Sequence, residues 1–342
     1  MTEATPPGGD LASAPDGDPP STPPARLGSS TFTIEGRAAP GLFVLAWIAS
    51  ILGIGLVVVG ATLASAPLGR AILLLGGMTL LSVGLVAGAG AQTIERRARG
   101  EAYPGPSPLL VFGAVYATVN VVLAPIGIVL EALAVPASGP VAAFLSLLVQ
   151  VGIYIGLIRL LVVNTGALSW QDMGITRFGR DQLVDLAWGA MYAVPVIFIT
   201  LVVASVLLSI FGTAPDAPLA PTTDPVGIVL NLITGIVLAP VGEELLFRGF
   251  AATAWARSRG ERSAITRSGI LFALAHIITT RGSSFGEALA KAAVGFGTRL
   301  PVGIALGWIF LRRRSIYAAI GMHMGFNAIL LVAGQLASQA GR

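Results

Sequence analysis

Two histidines occur in the 342 residues, and both stand inside apolar runs. His276 closes Phe272-Ala273-Leu274-Ala275-His276, and His323 opens His323-Met324-Gly325-Phe326-Asn327. A third polar group, Glu243-Glu244-Leu245-Leu246-Phe247-Arg248, follows another apolar run. Ionisable groups within apolar segments are costly, so each needs a partner or a task. On a helix Glu244 and Arg248 lie four apart on one face and can pair. Glu243 points about 100° away, which leaves its carboxylate free. His323 and Asn327 likewise share a face.

A carboxylate and an imidazole can deprotonate water, while a second imidazole and an amide can donate to a developing oxyanion. That set suits peptide hydrolysis without a side-chain nucleophile. Cysteine is absent, which removes a Cys nucleophile, a thiolate metal site and a disulfide framework. The same residues admit a second reading, in which His276, His323 and Glu243 hold a zinc ion with an open water position. The HExxH signature is missing, so those ligands would come from separate helices.

What must position these groups is a set of membrane helices. Charged residues are 11% of the chain, hydrophobic residues 54%, and mean hydropathy is +0.82; soluble domains carry about 25% charged residues. Nine apolar runs, at about 41–64, 70–92, 108–132, 140–163, 185–211, 226–248, 265–280, 287–311 and 315–336, approach the roughly 20 residues a bilayer requires. The seventh is short, and the eighth contains Lys291, Arg299 and Pro301, which predict a break or an interfacial stretch. The fold class is therefore all-α, a polytopic transmembrane bundle of eight to nine spans. Residues 1–38, rich in Pro, Gly, Ser and Asp, are expected to form a disordered tail; 39–220 are expected to hold N-terminal transmembrane helices, and 221–338 the core that carries all three polar motifs. Ala64-Ser65-Ala66 resembles a cleavage site, but the long polar lead favours an uncleaved anchor.

Arginines set the orientation. Arg96, Arg97 and Arg99 follow the second run, Arg177 and Arg180 the fourth, Arg257, Arg259, Arg262 and Arg267 the sixth, and Arg312, Arg313 and Arg314 the eighth. That alternation predicts a multi-pass protein of the cell membrane with a cytoplasmic N-terminus. His276 and His323 each then lie about 14 Å beyond a cytoplasmic arginine cluster, and Glu243 lies at a comparable depth. The basic residues cap apolar runs and form no nucleic-acid face.

Glu-Glu-x-x-x-Arg, then Phe-x-x-x-His, then His-x-x-x-Asn, in successive hydrophobic stretches, resembles the CPBP family of intramembrane proteases. That family includes CAAX prenyl endopeptidases of the Ras-converting type and bacteriocin-processing or immunity proteins. The resemblance covers about 225–335 and extends to Gly303-x-x-x-Gly307-Trp308, glycines that also suit close helix packing. It implies Glu243 as general base, His276 as its assistant, His323 and Asn327 as oxyanion donors, and Glu244 and Arg248 as supports. It leaves zinc open. Trp170 to Gly174 resembles a short lead-in found in relatives. Arg313-Arg314-Ser315 departs from a Thr-Gly-Ser turn, and Arg299 stands where a large apolar residue is common. Arg299 either contacts a substrate carboxylate or snorkels.

The expectation is an intramembrane endopeptidase acting on a membrane-associated, in some relatives lipidated, peptide or protein, with membrane lipid as its other partner. A non-catalytic scaffold or immunity protein is the first rival. A proton-coupled transporter is the second, but it would show repeat symmetry that this chain lacks.

Overall fold

The computed structural model describes residues 33–63, 65–217 and 219–340. Most of the expected tail, and Ala64 of the expected cleavage site, lie outside the described residues. From Ala38 onward the chain is helical, and no strand occurs among the described residues. The helices are α1 (Pro40–Thr62), α2 (Pro67–Ala98), α3 (Pro108–Ala132), α4 (Pro140–Val163), α5 (Arg180–Phe211), α6 (Pro225–Arg259), α7 (Glu261–Ala275), α8 (Phe285–Arg313) and α9 (Ile316–Ala340). Five of them open on proline, whose missing N–H costs nothing in a first turn. Side chains cap two starts: Asp224 accepts from Gly227 N at 2.7 Å, and Ser284 accepts from Glu287 N at 3.2 Å.

Eight of these helices are long and apolar enough to cross a membrane, and the protein is a multi-pass helical bundle. Exposed apolar side chains such as Ile51, Phe198 and Ile210 form its lipid-facing surface. The exception is α7, at 15 residues about 22 Å long. It occupies an earlier stretch than the 265–280 read from hydropathy. Gly260, at φ +83°, ends α6, and polar Glu261-Arg262-Ser263 makes the first turn of α7. The helix stops at His276. The break expected near Pro301 is not found: α8 runs unbroken through it.

Glycines set how closely the core helices approach. A Cβ on Gly303 would stand 2.8 Å from Gly269 O, and one on Gly307 3.1 Å from Ser268 Oγ. Together with Gly295 against Ile277, these contacts give α7 and α8 one antiparallel register. On the other side of the core, Gly321 lies against the Leu186 carbonyl and Gly325 against Ala190, which presses α9 onto α5. His323 sits two residues from each of those glycines, about 200° around the helix. It therefore faces away from α5 and into the core.

The charged ends gather on one face. Arg257 bonds Asp172 at 2.6 Å, Arg313 Nε bonds Asp185 at 2.9 Å, and Arg314 pairs with Glu261. These pairs tie the end of α6 and the α8–α9 junction to the starts of α5 and α7 and to the 164–179 loop. Gly174, at φ +75°, takes a backbone conformation that disfavours a side chain, and its carbonyl receives Ile316 N at 3.2 Å. The Trp170–Gly174 stretch is thus a brace under α9. At the other end of α8, Lys291 pairs with Asp216 of the α5–α6 loop at 3.0 Å.

Candidate active site

The site is carried by α6, where the helix is least regular. Two π-helical stretches, Ile233–Leu238 and Leu245–Ala252, flank the α-helical turn Ala239–Glu244. Such π stretches are frequent at functional sites, because they rotate the residues that follow. Pro240 bears on the first one. Ala239 N–H bonds Thr234 O, five residues back. In that register the next donor, for Gly235 O, would be residue 240, and proline has none. Asn327 supplies it from α9, with Nδ2 2.7 Å from Gly235 O. Gly242, one residue before the carboxylates, lets α6 meet Val151 of α4.

Glu244 and Arg248 form the buried floor, each with no side-chain exposure, and their Oε1–Nη1 distance is 3.0 Å. Arg248 Nη2 donates to Gly303 O at 3.0 Å, so the α7–α8 glycine contact also brings this acceptor within reach. The guanidinium lies 4.6 Å from the centre of the Phe272 ring, where the negative ring face favours it. Glu244 Oε1 meets a second partner, His323 Nδ1, at 2.8 Å. Phe272 is the apolar hub: the His276 ring centre is 4.5 Å away and that of His323 5.7 Å.

Above this floor, Glu243 stands apart, as its angle on the helix predicts. Its Oε2 is 3.7 Å from His276 Nε2 and 3.9 Å from His323 Nε2. It has no hydrogen-bond partner, although the atom is buried. Side-chain exposure rises from 5% at His323 to 16% at Glu243 and 25% at His276, so the cluster opens on the His276 side. His276 Nδ1 lies 2.8 Å from Phe272 O. A carbonyl only accepts, so Nδ1 is assigned the proton and Nε2 turns a lone pair toward Glu243.

Three helices thus bring five of the six sequence-selected residues, Glu243, Glu244, Arg248, His276 and His323, into one contact network. Asn327 is the sixth. It lies one turn beyond His323 and is bonded to the α6 backbone. One neighbour was missed from sequence. Tyr154 of α4 is buried, its hydroxyl is bonded to Gln150, and the charge of Glu243 reaches its phenol. The available signal was Gln150 and Tyr154 four apart in an otherwise apolar run. Arg299 of α8 is half-buried beside the cluster, with Nη1 3.1 Å from Gly295 O.

Two imidazoles and a carboxylate are suitable zinc donors in kind. Tetrahedral zinc with bonds of 2.0–2.1 Å would set its ligand atoms about 3.4 Å apart, closer than the 3.7 and 3.9 Å found. Among the described residues no group of three or more His, Cys, Asp or Glu side chains is arranged to hold a metal ion.

The described residues thus form a multi-pass bundle with a buried carboxylate–imidazole centre. Residues 225–329, which carry all six sequence-selected residues of the site but not its neighbours Gln150 and Tyr154, match the model for Rce1-like type II CAAX prenyl endopeptidases. The match supports the CPBP/CAAX protease family for that segment, and a CAAX-type intramembrane protease in general. Curated proteins and solved structures give no match to the chain.

Proposed function

We propose that the chain is an intramembrane endopeptidase in which Glu243 and His276 activate a water against a peptide bond. The observation that carries this reading is the convergence of Glu243 Oε2 with His276 Nε2 and His323 Nε2 at 3.7 and 3.9 Å. With Nδ1 of each ring bonded elsewhere, all three atoms are acceptors when the imidazoles are neutral. The gaps exceed a direct hydrogen bond and suit one bridging water. A water has two O–H groups for three acceptors. One more proton, on His323 Nε2, completes the set.

Glu244 orients the His323 ring and stabilises its imidazolium, as the aspartate does in a Ser-His-Asp triad. Attack moves one water proton to Glu243 while His276 holds the other. The imidazolium N–H of His323 and the second amide N–H of Asn327 receive the oxyanion. Glu243 then returns its proton to the leaving amine. The substrate is a membrane-associated peptide or protein, and lipidation fits the apolar surroundings. Arginine distribution supports a cytoplasmic N-terminus in the cell membrane.

The test is cleavage of a tagged peptide library by purified protein in liposomes. His276→Ala and His323→Ala are each expected to reduce turnover by about 10²–10⁴-fold. Equal cleavage by wild type and both variants would sink the assignment. A chelator arm separates the chemistries: an unchanged rate supports the metal-free form, and loss rescued by zinc would make ligands of the same three donors.

A further inference from the structure

We infer that Arg299 forms a carboxylate-binding subsite beside the water-activating cluster, so that the enzyme selects substrates carrying an anionic group next to the cleaved bond. The inference rests on the endopeptidase reading above.

The basic residues near the site are otherwise accounted for. Arg248 is paired with Glu244, and Lys291 with Asp216 and Glu287. Arg299 has no carboxylate within 4 Å among the described residues; its hydrogen bond is to Gly295 O, one turn back on its own helix. A carbonyl neutralises no charge. Arg299 is therefore a cation without an ion-pair partner at the site among the described residues. That charge acts on both Glu243 and His276. The side chain is half-buried, so it remains open to an incoming group.

The helix register gives the reach. Gly303 lies opposite Gly269 and Gly295 opposite Ile277, which sets Arg299 opposite Ala273, about one turn from His276. An extended substrate advances about 3.3 Å per residue. A carboxylate on Arg299 therefore belongs to a residue about one to three positions from the cleaved bond. It is either the chain terminus or an acidic side chain. The planar guanidinium, which can bind both oxygens of a carboxylate, suits either.

The experiment uses full-length protein in nanodiscs and three matched peptides: one with a free C-terminal carboxylate, its C-terminal amide, and an amide bearing Glu near the cleaved bond. For wild type the free acid is expected to exceed the amide by about ten- to hundredfold in kcat/KM, expressed in KM. A gain by the Glu-bearing amide as well assigns a side-chain carboxylate; a gain confined to the free acid assigns the terminus. In Arg299→Gln the acid-to-amide ratio is expected to fall to about one, and in Arg299→Lys to be partly kept. A wild-type ratio near one, or a ratio unchanged in Arg299→Gln, would overturn the inference. Fluorescence anisotropy with the same peptides reads the same ratio in Kd without turnover. If no peptide is cleaved but the Kd ratio follows Arg299, the catalytic reading fails and the subsite stands. If cleavage is normal and the ratio ignores Arg299, only the subsite falls.

Discussion

Glu244 Oε1 is shared between Arg248 Nη1 at 3.0 Å and His323 Nδ1 at 2.8 Å, so one buried oxygen ties α6 to α9. The side chains have almost no contact with solvent. Glu244→Ala leaves a buried guanidinium without a counter-charge, at a cost of about 3–5 kcal/mol. Thermal unfolding in detergent should show a large loss for Glu244→Ala. A melting temperature equal to that of wild type would mean the pair does not hold the fold together.

The bond from Asn327 to Gly235 O makes a prediction that involves Pro240. Asn327→Ala strands a buried carbonyl, at about 1–3 kcal/mol. Pro240→Ala restores a backbone N–H that can serve the same acceptor. A double-mutant cycle should therefore show coupling of about 0.5–1.5 kcal/mol, with Asn327→Ala milder in the Pro240→Ala background. Strict additivity would break the link between the proline and the amide.

Glycine substitutions should separate by what surrounds them. A Cβ on Gly303 meets the Gly269 carbonyl at 2.8 Å, whereas one on Gly334 meets nothing within 4 Å. Gly303→Ala should cost about 1–3 kcal/mol. Gly334→Ala should be neutral or gain up to about 1 kcal/mol from helix propensity. Comparison of the two melting temperatures, together with activity, checks the α7–α8 register.

The sequence singled out the polar residues and placed them at similar depth, but not the neighbourhood of their helices. The apolar runs foretold eight to nine spans, and eight of the helices among the described residues are long enough to cross a membrane; the i, i+4 spacing foretold the Glu244–Arg248 pair, because it follows from helix period. The π stretches of α6 were not legible. They depend on where one backbone carbonyl finds a donor, and for Gly235 that donor lies 92 residues along, at Asn327. The partner of His323 was hidden for the same reason: Glu244 and His323 are 79 residues apart. Pro301 misled, because neighbouring helices support a proline within a membrane helix that would break one in water. Tyr154 was overlooked because a tyrosine in an apolar run reads first as packing.

The arginine-rich face should respond to acid in a defined direction. Backbone hydrogen bonding from Ser169, followed by contact with Arg257, holds the Asp172 carboxyl below its ordinary range. A lowered folded-state value means the stabilisation is complete above the unfolded value, near 4, and is lost as pH falls through the folded value. The side chain is partly exposed, so solvent screening limits the effect to about 0.5–1 kcal/mol. Asp172→Asn should be less stable than wild type at pH 7, and the difference should close as pH drops below about 4. A difference independent of pH would assign the effect to packing.

The central claim is that Glu243 is the base that activates water. Its most direct measurement is the single-turnover cleavage rate of one peptide substrate by wild type and by Glu243→Gln in the same liposomes, with folding matched by melting temperature. The account predicts a fall of about 10²–10⁴-fold in the chemical step, with peptide binding retained. A Glu243→Gln variant that cleaves at the wild-type rate would contradict it.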